Sequence, residues 1–486
     1  MGKPGSGNDN RSSVRPGSVN RRDWLRGAAA AAIAAWTGMP AVGSHHRKHA
    51  ESTRRPTGEP AAAGPVSGAA LYRDLITYYN FGDHRTATPG DTRTSDWLAL
   101  QLRRAGFRTG FESFTLDQFF IQKTSLVING VPIACFPLWP VRPAGLNQVN
   151  AGQPNGVNPT PPANQLAPIK ARLGIYRRGG GNIPRDRIAL IKFPFDPRSS
   201  VYKGSGHAEL IEGAARAGAR AIVGVTEGPT GELIALNPQS AQPPWPVPIL
   251  LAPGRDEAML TAAAQRGDEA QFLIDGREDR NASARNVIGR LDRGKEVIVI
   301  STPQSGWFRC AAERGPGIAI FLGLARWAAQ QFSEMSFLFV STSGHEIGEL
   351  GMKRFIADQA PPPSRVRAWI HLGAGMAACK WESSSRGPRR TSEVDSNRFL
   401  MCSKDLAPVV TPIFAGLPGL DHPSSLPMGE FELIAKRGYK VLGIAASHQF
   451  HQTPSDSPEM TSPELLGPVG AALVNAVEAL DDRATT

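Results

Sequence analysis

The chain has 486 residues, 41% of them hydrophobic and 20% charged, a composition that excludes a fibrous or largely disordered protein. Its 54 Lys and Arg outnumber 43 Asp and Glu for a net charge of +11, yet residues 1–60 alone hold ten of the basic and four of the acidic residues. The excess thus belongs largely to one end, and with no basic–aromatic stripe or reader motif it argues against a nucleic-acid partner.

In chain order, residues 1–43 read as a signal peptide. A basic lead ends in Arg21-Arg22, Trp24-Leu25-Arg26 follow, an alanine-rich run extends from Ala28 to Trp36, and Ala41-Val42-Gly43 offer small residues for cleavage. That is export-signal anatomy, and it resembles the twin-arginine consensus. The apolar run is too short to span a hydrocarbon core of roughly 30 Å. The chain is therefore expected in the periplasm, the cell envelope or the medium, with a membrane tie only through an uncleaved leader. Residues 44–66, polar and Pro/Gly-spaced, read as a linker.

Residues 67–117 contain two expected helices. Leu71, Leu75, Ile76 and Tyr79 share one helical face, and Trp97, Leu98, Leu100 and Leu102 share another, with Ser95 as its expected cap and Gly106 as its end. The stretch between them reads as a loop. Residues 118–282 alternate β-rich runs with Pro/Gly/Asn loops around one amphipathic helix, which describes an inserted β-rich domain. The Pro- and Asn-rich stretch 142–168 is expected to be mobile. Residues 283–486 return to strand–helix alternation, which predicts an α/β fold: a mostly parallel mixed sheet flanked by helices. Such sheets bind ligands beyond the carboxyl ends of their strands. The loops there read "TPQSGWFRCAAERGPG", "STSGHEIGELG", "HLGAG" and "SHQFHQTPSD". The four cysteines, at positions 135, 310, 379 and 402, form no C-x-x-C, and their spacing selects no pairing.

Several of these motifs, in this order, resemble the secreted zinc aminopeptidases of metallopeptidase family 28 with a protease-associated domain inserted. "RNVIGRLDRGKEVIVIST" resembles that family's entry into the metal-bearing sheet, "GHEIGELGMKRF" its Glu-Glu-x-Gly-x-x-Gly turn, and "FHQTPSDSPEMTSPELL" its last histidine loop. The resemblance covers roughly residues 66–482. It implies a zinc-aminopeptidase-like sheet with the inserted domain over 118–282, and peptide or small amide ligands.

The family's metal chemistry carries over only in part. Where its first histidine ligand is expected stands Pro303, and where its strand-end aspartate is expected stands Gly373; neither offers a ligand side chain. The bridging carboxylate falls on Glu313, the general base on His345, the second glutamate ligand on Glu346 and the last histidine on His451. One half of a two-zinc site is thereby lost, while Glu313, Glu346 and His451 would complete three ligands for at most one zinc.

The same residues admit other roles. His345 reads as a base, a ligand or a hydrogen-bonded loop histidine, and Glu346 as a ligand or a cap of the next helix. Asp456 would orient His451 or cap the last helix. His371 is a substitute ligand or a strand-end core residue. Glu313 and Arg314 together would form an ion pair that removes Glu313 from metal binding, while Arg314 alone suits a substrate carboxylate. Ser305 and Cys310 lie near enough to the histidines to be considered as nucleophiles, although no Gly-x-Ser-x-Gly elbow is present. Two functions follow: an impaired or pseudo-peptidase that binds peptides or a partner, or an active single-zinc aminopeptidase, amide hydrolase or aminoacyl cyclase.

Overall fold

The computed structural model describes residues 64–481 apart from 145–166, 179–184, 197–198, 202–203, 240–241, 332, 383–387 and 425–428. The expected signal peptide and most of the expected linker lie outside the described residues, as does most of the stretch 142–168. The described residues within 59–380 and 390–486 form one compact unit, which contains the fold and the site.

Helix α1 (Gly68–Tyr79) buries Leu71, Leu75 and Tyr78. Helix α2 (Pro89–Arg104) begins six residues before the expected Ser95, because Thr88 accepts the Asp91 amide and Pro89 occupies a first-turn position where no amide is needed. Part of the expected loop is therefore helix.

Strand β1 (Arg108–Ile128) follows, and later the similarly long β6 (Glu269–Leu291) pairs with it antiparallel, from Arg108 opposite Arg290 to Ile128 opposite Ala270. The expected domain borders at 118 and 282 both fall inside this ladder. Between the two strands lie β2 (Ile169–Ile175), β3 (Ile188–Phe193), α3 (Gly206–Arg216), β4 (Ala221–Thr226), β5 (Ile249–Pro253) and α4 (Glu257–Arg266). Strands β2 to β5 are parallel neighbours, and β2 joins β6 antiparallel. This second lobe has apolar cores of its own, one around Leu173, Val223 and Phe272 and another around Phe193, Ile211 and Leu251.

The main sheet continues through β7 (Val297–Pro303), α5 (Ala311–Gln330), β8 (Ser336–Thr342), α6 (Leu350–Asp358), β9 (Val366–Leu372), β10 (Arg398–Cys402), α7 (Ala407–Phe414), α8 (Glu430–Lys436), β11 (Val441–Ala446) and α9 (Pro463–Asp481). Its spatial order is β10–β11–β9–β7–β8–β6. Strands β8, β7, β9 and β11 run parallel, with β6 and β10 antiparallel at the flanks. This is the mixed, mostly parallel sheet expected. Leu71, Ile318, Phe321, Phe339 and Leu473 belong to one core and Val340, Phe355, Trp369 and Phe431 to another. No helix among the described residues is long and apolar enough to cross a membrane.

Candidate active site

Four loops leave the carboxyl ends of the central parallel strands: 304–310 after β7, 343–349 after β8, 373–378 after β9 and 447–462 after β11. Every site residue read from the sequence lies on these loops, on their strand ends or on the first turn of α5.

Glu313 and Arg314 occupy that first turn. Arg314 Nη2 lies 2.9 Å from Glu313 Oε1, with 2% and 1% of the two side chains exposed. Arg314 Nε also donates to the Ser305 carbonyl at 3.1 Å. Both carboxylate oxygens of Glu313 are buried without a well-aligned hydrogen bond. The 2.9 Å approach to Arg314 is therefore a charge contact rather than a fork of aligned bonds, and we read the pair as electrostatic. Glu313 Oε2 is 3.9 Å from His451 Nδ1, which likewise has no hydrogen-bond partner.

Glu346 is occupied elsewhere. Its Oε1 receives the Thr86 amide and the Thr86 hydroxyl, each at 2.5 Å, and its Oε2 receives the Ser305 hydroxyl at 2.7 Å. Ser305 Oγ in turn accepts the amides of Gly344 at 2.8 Å and His345 at 3.2 Å. Glu346 thus ties the loop before α2 to the loops after β7 and β8; it does not cap α6, which starts at Leu350. Ser305 gives its proton to a carboxylate and lies fully buried, which is no arrangement for a nucleophile. Cys310 shares a hydrogen bond with the Tyr78 hydroxyl at 3.2 Å, and burial, with Glu313 nearby, pushes its thiol well up.

His345 meets a residue that the sequence reading passed over. Its Nδ1 lies 3.1 Å from Oε1 of Glu430, at the start of α8. The Thr342 hydroxyl also reaches Glu430, and His371 Nε2 stands 3.9 Å from its other oxygen. On its far side, His371 Nδ1 bonds Ser301 Oγ at 2.9 Å, and Ser301 accepts the Trp369 indole at 2.7 Å. His371 is thus a buried member of β9, tied on both sides. Burial, followed by the charge of Arg314, lowers His345 to about 4; burial lowers His371 to about 4. His451 is pushed well down by burial, then by His448 and Arg314. All three are neutral imidazoles at neutral pH.

Asp456 does neither of the things expected of it. Its oxygens accept the amides of Ala312 at 2.8 Å and Glu313 at 3.0 Å, so it caps α5, and its histidine neighbour is His448, at 3.6 Å. Burial opposes charge on His448, but Asp456, together with Glu313 and Asp395 beyond it, raises the histidine. The second lobe holds this loop: Ala235 N–H donates to the Gln452 carbonyl at 2.9 Å and Ser455 Oγ to Glu232 at 2.9 Å.

The donors present do not suit zinc. Glu346 turns both oxygens to Thr86 and Ser305, Glu313 faces a guanidinium, and among the described residues no three His, Cys, Asp or Glu side chains converge as a metal cage. At Gly373 a Cβ would lie 2.7 Å from the Ile444 carbonyl, so a ligand side chain has no room there.

Against this geometry stand the known proteins. No family model matches the chain. An aminopeptidase of Pseudomonas aeruginosa is 20% identical over 305 residues, 61% of this chain and 54% of that protein; the chain spans about half the length of the curated relatives it matches. Among solved structures, a zinc aminopeptidase from Bacillus subtilis superposes with a TM-score of 0.64 at 16% identity, covering 85% of this chain and 94% of that one. A peptidase M28 precursor from Shewanella amazonensis gives 0.64 and 16%, over 85% and 93%. The chain has the fold of these zinc aminopeptidases. The structural neighbours thus agree with the family resemblance at the level of fold. The Glu313–Arg314 pair and the Thr86–Glu346–Ser305 tie are details of this chain's zinc-aminopeptidase-type sheet.

Proposed function

We propose that the chain is an exported, peptidase-like binding protein that holds a peptide or a partner segment at the old cleft and does not perform two-metal hydrolysis. The observation that carries this is the loss of donors at Pro303 and Gly373, since two-metal chemistry needs both ions to clamp the attacking and leaving oxygens. His345, standing where the family places a general base, is held neutral by burial and Arg314 and oriented by Glu430. A neutral imidazole can accept a proton, but it cannot replace the two-metal clamp on the reacting oxygens. Peptide recognition is carried over from the aminopeptidase relatives, and export from Arg21-Arg22 and the alanine run.

The test is turnover of aminoacyl p-nitroanilides and short peptides, with and without added zinc, beside fluorescence anisotropy on the same peptides. Binding without turnover is expected. The second reading, a single-zinc enzyme, draws on the Glu313 oxygens and His451 Nδ1, which lack hydrogen bonds; zinc-dependent turnover abolished by His451→Ala would establish it in place of the first. For export, replacing Arg21 and Arg22 with Lys is expected to strand the precursor in the cytoplasm, and unchanged export would refute the route.

A further inference from the structure

We propose that Arg314 is the resident cation of this site: its guanidinium supplies permanently the positive charge that a metal ion would bring, and the protein folds and holds these loops together without zinc. This deepens the binding-protein reading and rests on it for the use of the cleft, though not for the charge itself.

Three carboxylates of the strand-end loops and α8, on Glu313, Glu346 and Glu430, are fully buried. Each needs a cation, a proton or hydrogen-bond donors, because an unpaired buried charge is strongly unfavourable. Glu346 is answered by neutral donors, and Glu430 by Thr342 and two histidines. Only Glu313 lacks aligned donors, and its close partner is the Arg314 guanidinium, 2.9 Å away.

The surroundings are shaped to that side chain. Its Nε is anchored on the Ser305 carbonyl. A Cβ on Gly306 would stand 3.1 Å from Cys310 Sγ, which would have to give, and 3.4 Å from Arg314 Cγ and Nε, so the arginine stem lies in contact with this glycine turn. A guanidinium does not lose its proton in a protein, so the charge is fixed, whereas a metal can leave. A divalent ion on Glu313 would have to approach that fixed charge closely, and the repulsion is poorly screened in a buried site. Two altered ligand positions and one added cation therefore form a coherent set: Pro303 and Gly373 offer nothing to a metal, and Arg314 neutralises the carboxylate a metal would have bridged.

The test uses the purified mature chain, with zinc chloride as the probe. After dialysis against zinc and desalting, elemental analysis is expected to find far less than one zinc per chain, and neither zinc nor EDTA should move the melting temperature. About one equivalent of zinc, with a melting temperature that falls in EDTA, overturns the proposal whatever the variants do. Arg314→Met should melt roughly 5 °C or more below the parent, as breaking a buried pair implies. The Glu313→Gln/Arg314→Met double variant, which leaves no orphan charge, should regain most of that. Zinc should raise the melting temperature of Arg314→Met but not of the parent. If Arg314→Met melts like the parent, or if zinc moves neither protein, Arg314 is not the cation of the site. Should Arg314→Met fail to fold, a folded double variant supports the pair, and an unfolded one leaves the parent's zinc content to decide. Turnover by a zinc-free protein would sink the binding reading and leave this one standing; zinc uptake without turnover would do the reverse.

Discussion

Nδ1 of His345 lies 3.1 Å from Oε1 of Glu430, joining the loop after β8 to the first residue of α8 across 85 positions of sequence. The same carboxylate is reached by Thr342 and faced by His371, so one buried side chain organises the ends of β8 and β9. Glu430→Ala strands a hydroxyl and leaves a cavity, and we expect a loss of roughly 2–4 kcal/mol in urea denaturation. Glu430→Gln, which keeps the volume and one acceptor, should lose about 1 kcal/mol. A loss below about 0.5 kcal/mol in the alanine variant would show that Glu430 organises nothing.

Acid sensitivity follows from His84. It stacks on Tyr78 with ring centroids 3.8 Å apart, its Nδ1 meets Thr94 Oγ1 at 3.2 Å, and its Nε2 is buried without a partner. Burial lowers it from 6.5 to about 3. Between those values the folded state binds fewer protons than the unfolded state, so this contribution to stability is lost as pH falls below about 6.5. Asp91, which burial raises to about 7, acts in the opposite sense: its folded form holds a proton that the unfolded chain gives up, so stability rises as pH falls below 7. The net curve is thus not diagnostic, but the difference between parent and His84→Phe is. Below pH 6 the variant should lose stability less steeply, by up to about 1.4 kcal/mol per pH unit. Parallel slopes would mean that His84 does not stay neutral.

Cys310 should be chemically silent. Its thiol is buried, bonded to Tyr78 and pushed well up by burial, and reactivity requires the thiolate. Mass spectrometry after native iodoacetamide treatment should find it unmodified, and after treatment in urea alkylated. Native labelling would reopen the nucleophile reading.

The alternation of strands and helices after residue 283 was legible because each buried strand is an apolar run and each helix shows its own period. The long ladder of β1 and β6 was not: Arg108–Ser113 and Glu278–Arg285 are half-exposed and polar, and their pairing is a contact across some 170 residues. The start of α2 is hidden in the sequence because Thr88-Pro89, a sound cap and first turn, sits within a polar Gly- and Pro-containing stretch that has no apolar period. At the site, the loops were found from the strand ends, but the partners were not. Thr86 takes Glu346, and Glu430 takes His345, through contacts that no local pattern encodes. The Glu313–Arg314 pair was visible as an alternative because the two are adjacent; its burial was not.

Asp456 is expected to hold the start of α5. The residue at that helix's N-cap position, Cys310, has φ of 31° and gives no side-chain cap, so the first turn of a 20-residue helix depends on an oxygen brought from another loop. Asp456 supplies both of its own, to the amides of Ala312 and Glu313, and its charge lies at the positive end of the helix dipole. Asp456→Ala should therefore lose about 2–3 kcal/mol, more than an exposed cap, because two buried amides are left without acceptors. Asp456→Asn should lose about 1 kcal/mol, keeping one acceptor and turning its NH2 toward the other amide. Hydrogen exchange gives the local readout: the Ala312 and Glu313 amides should exchange faster in Asp456→Ala, while amides in the middle of α5 keep their protection. If those two amides remain protected, the turn that carries Glu313 and Arg314 is held by something else. If they open, Glu313 is held in register with His451 by an aspartate on that histidine's own loop, which makes the buried ion pair a product of tertiary contact and not of helix propensity.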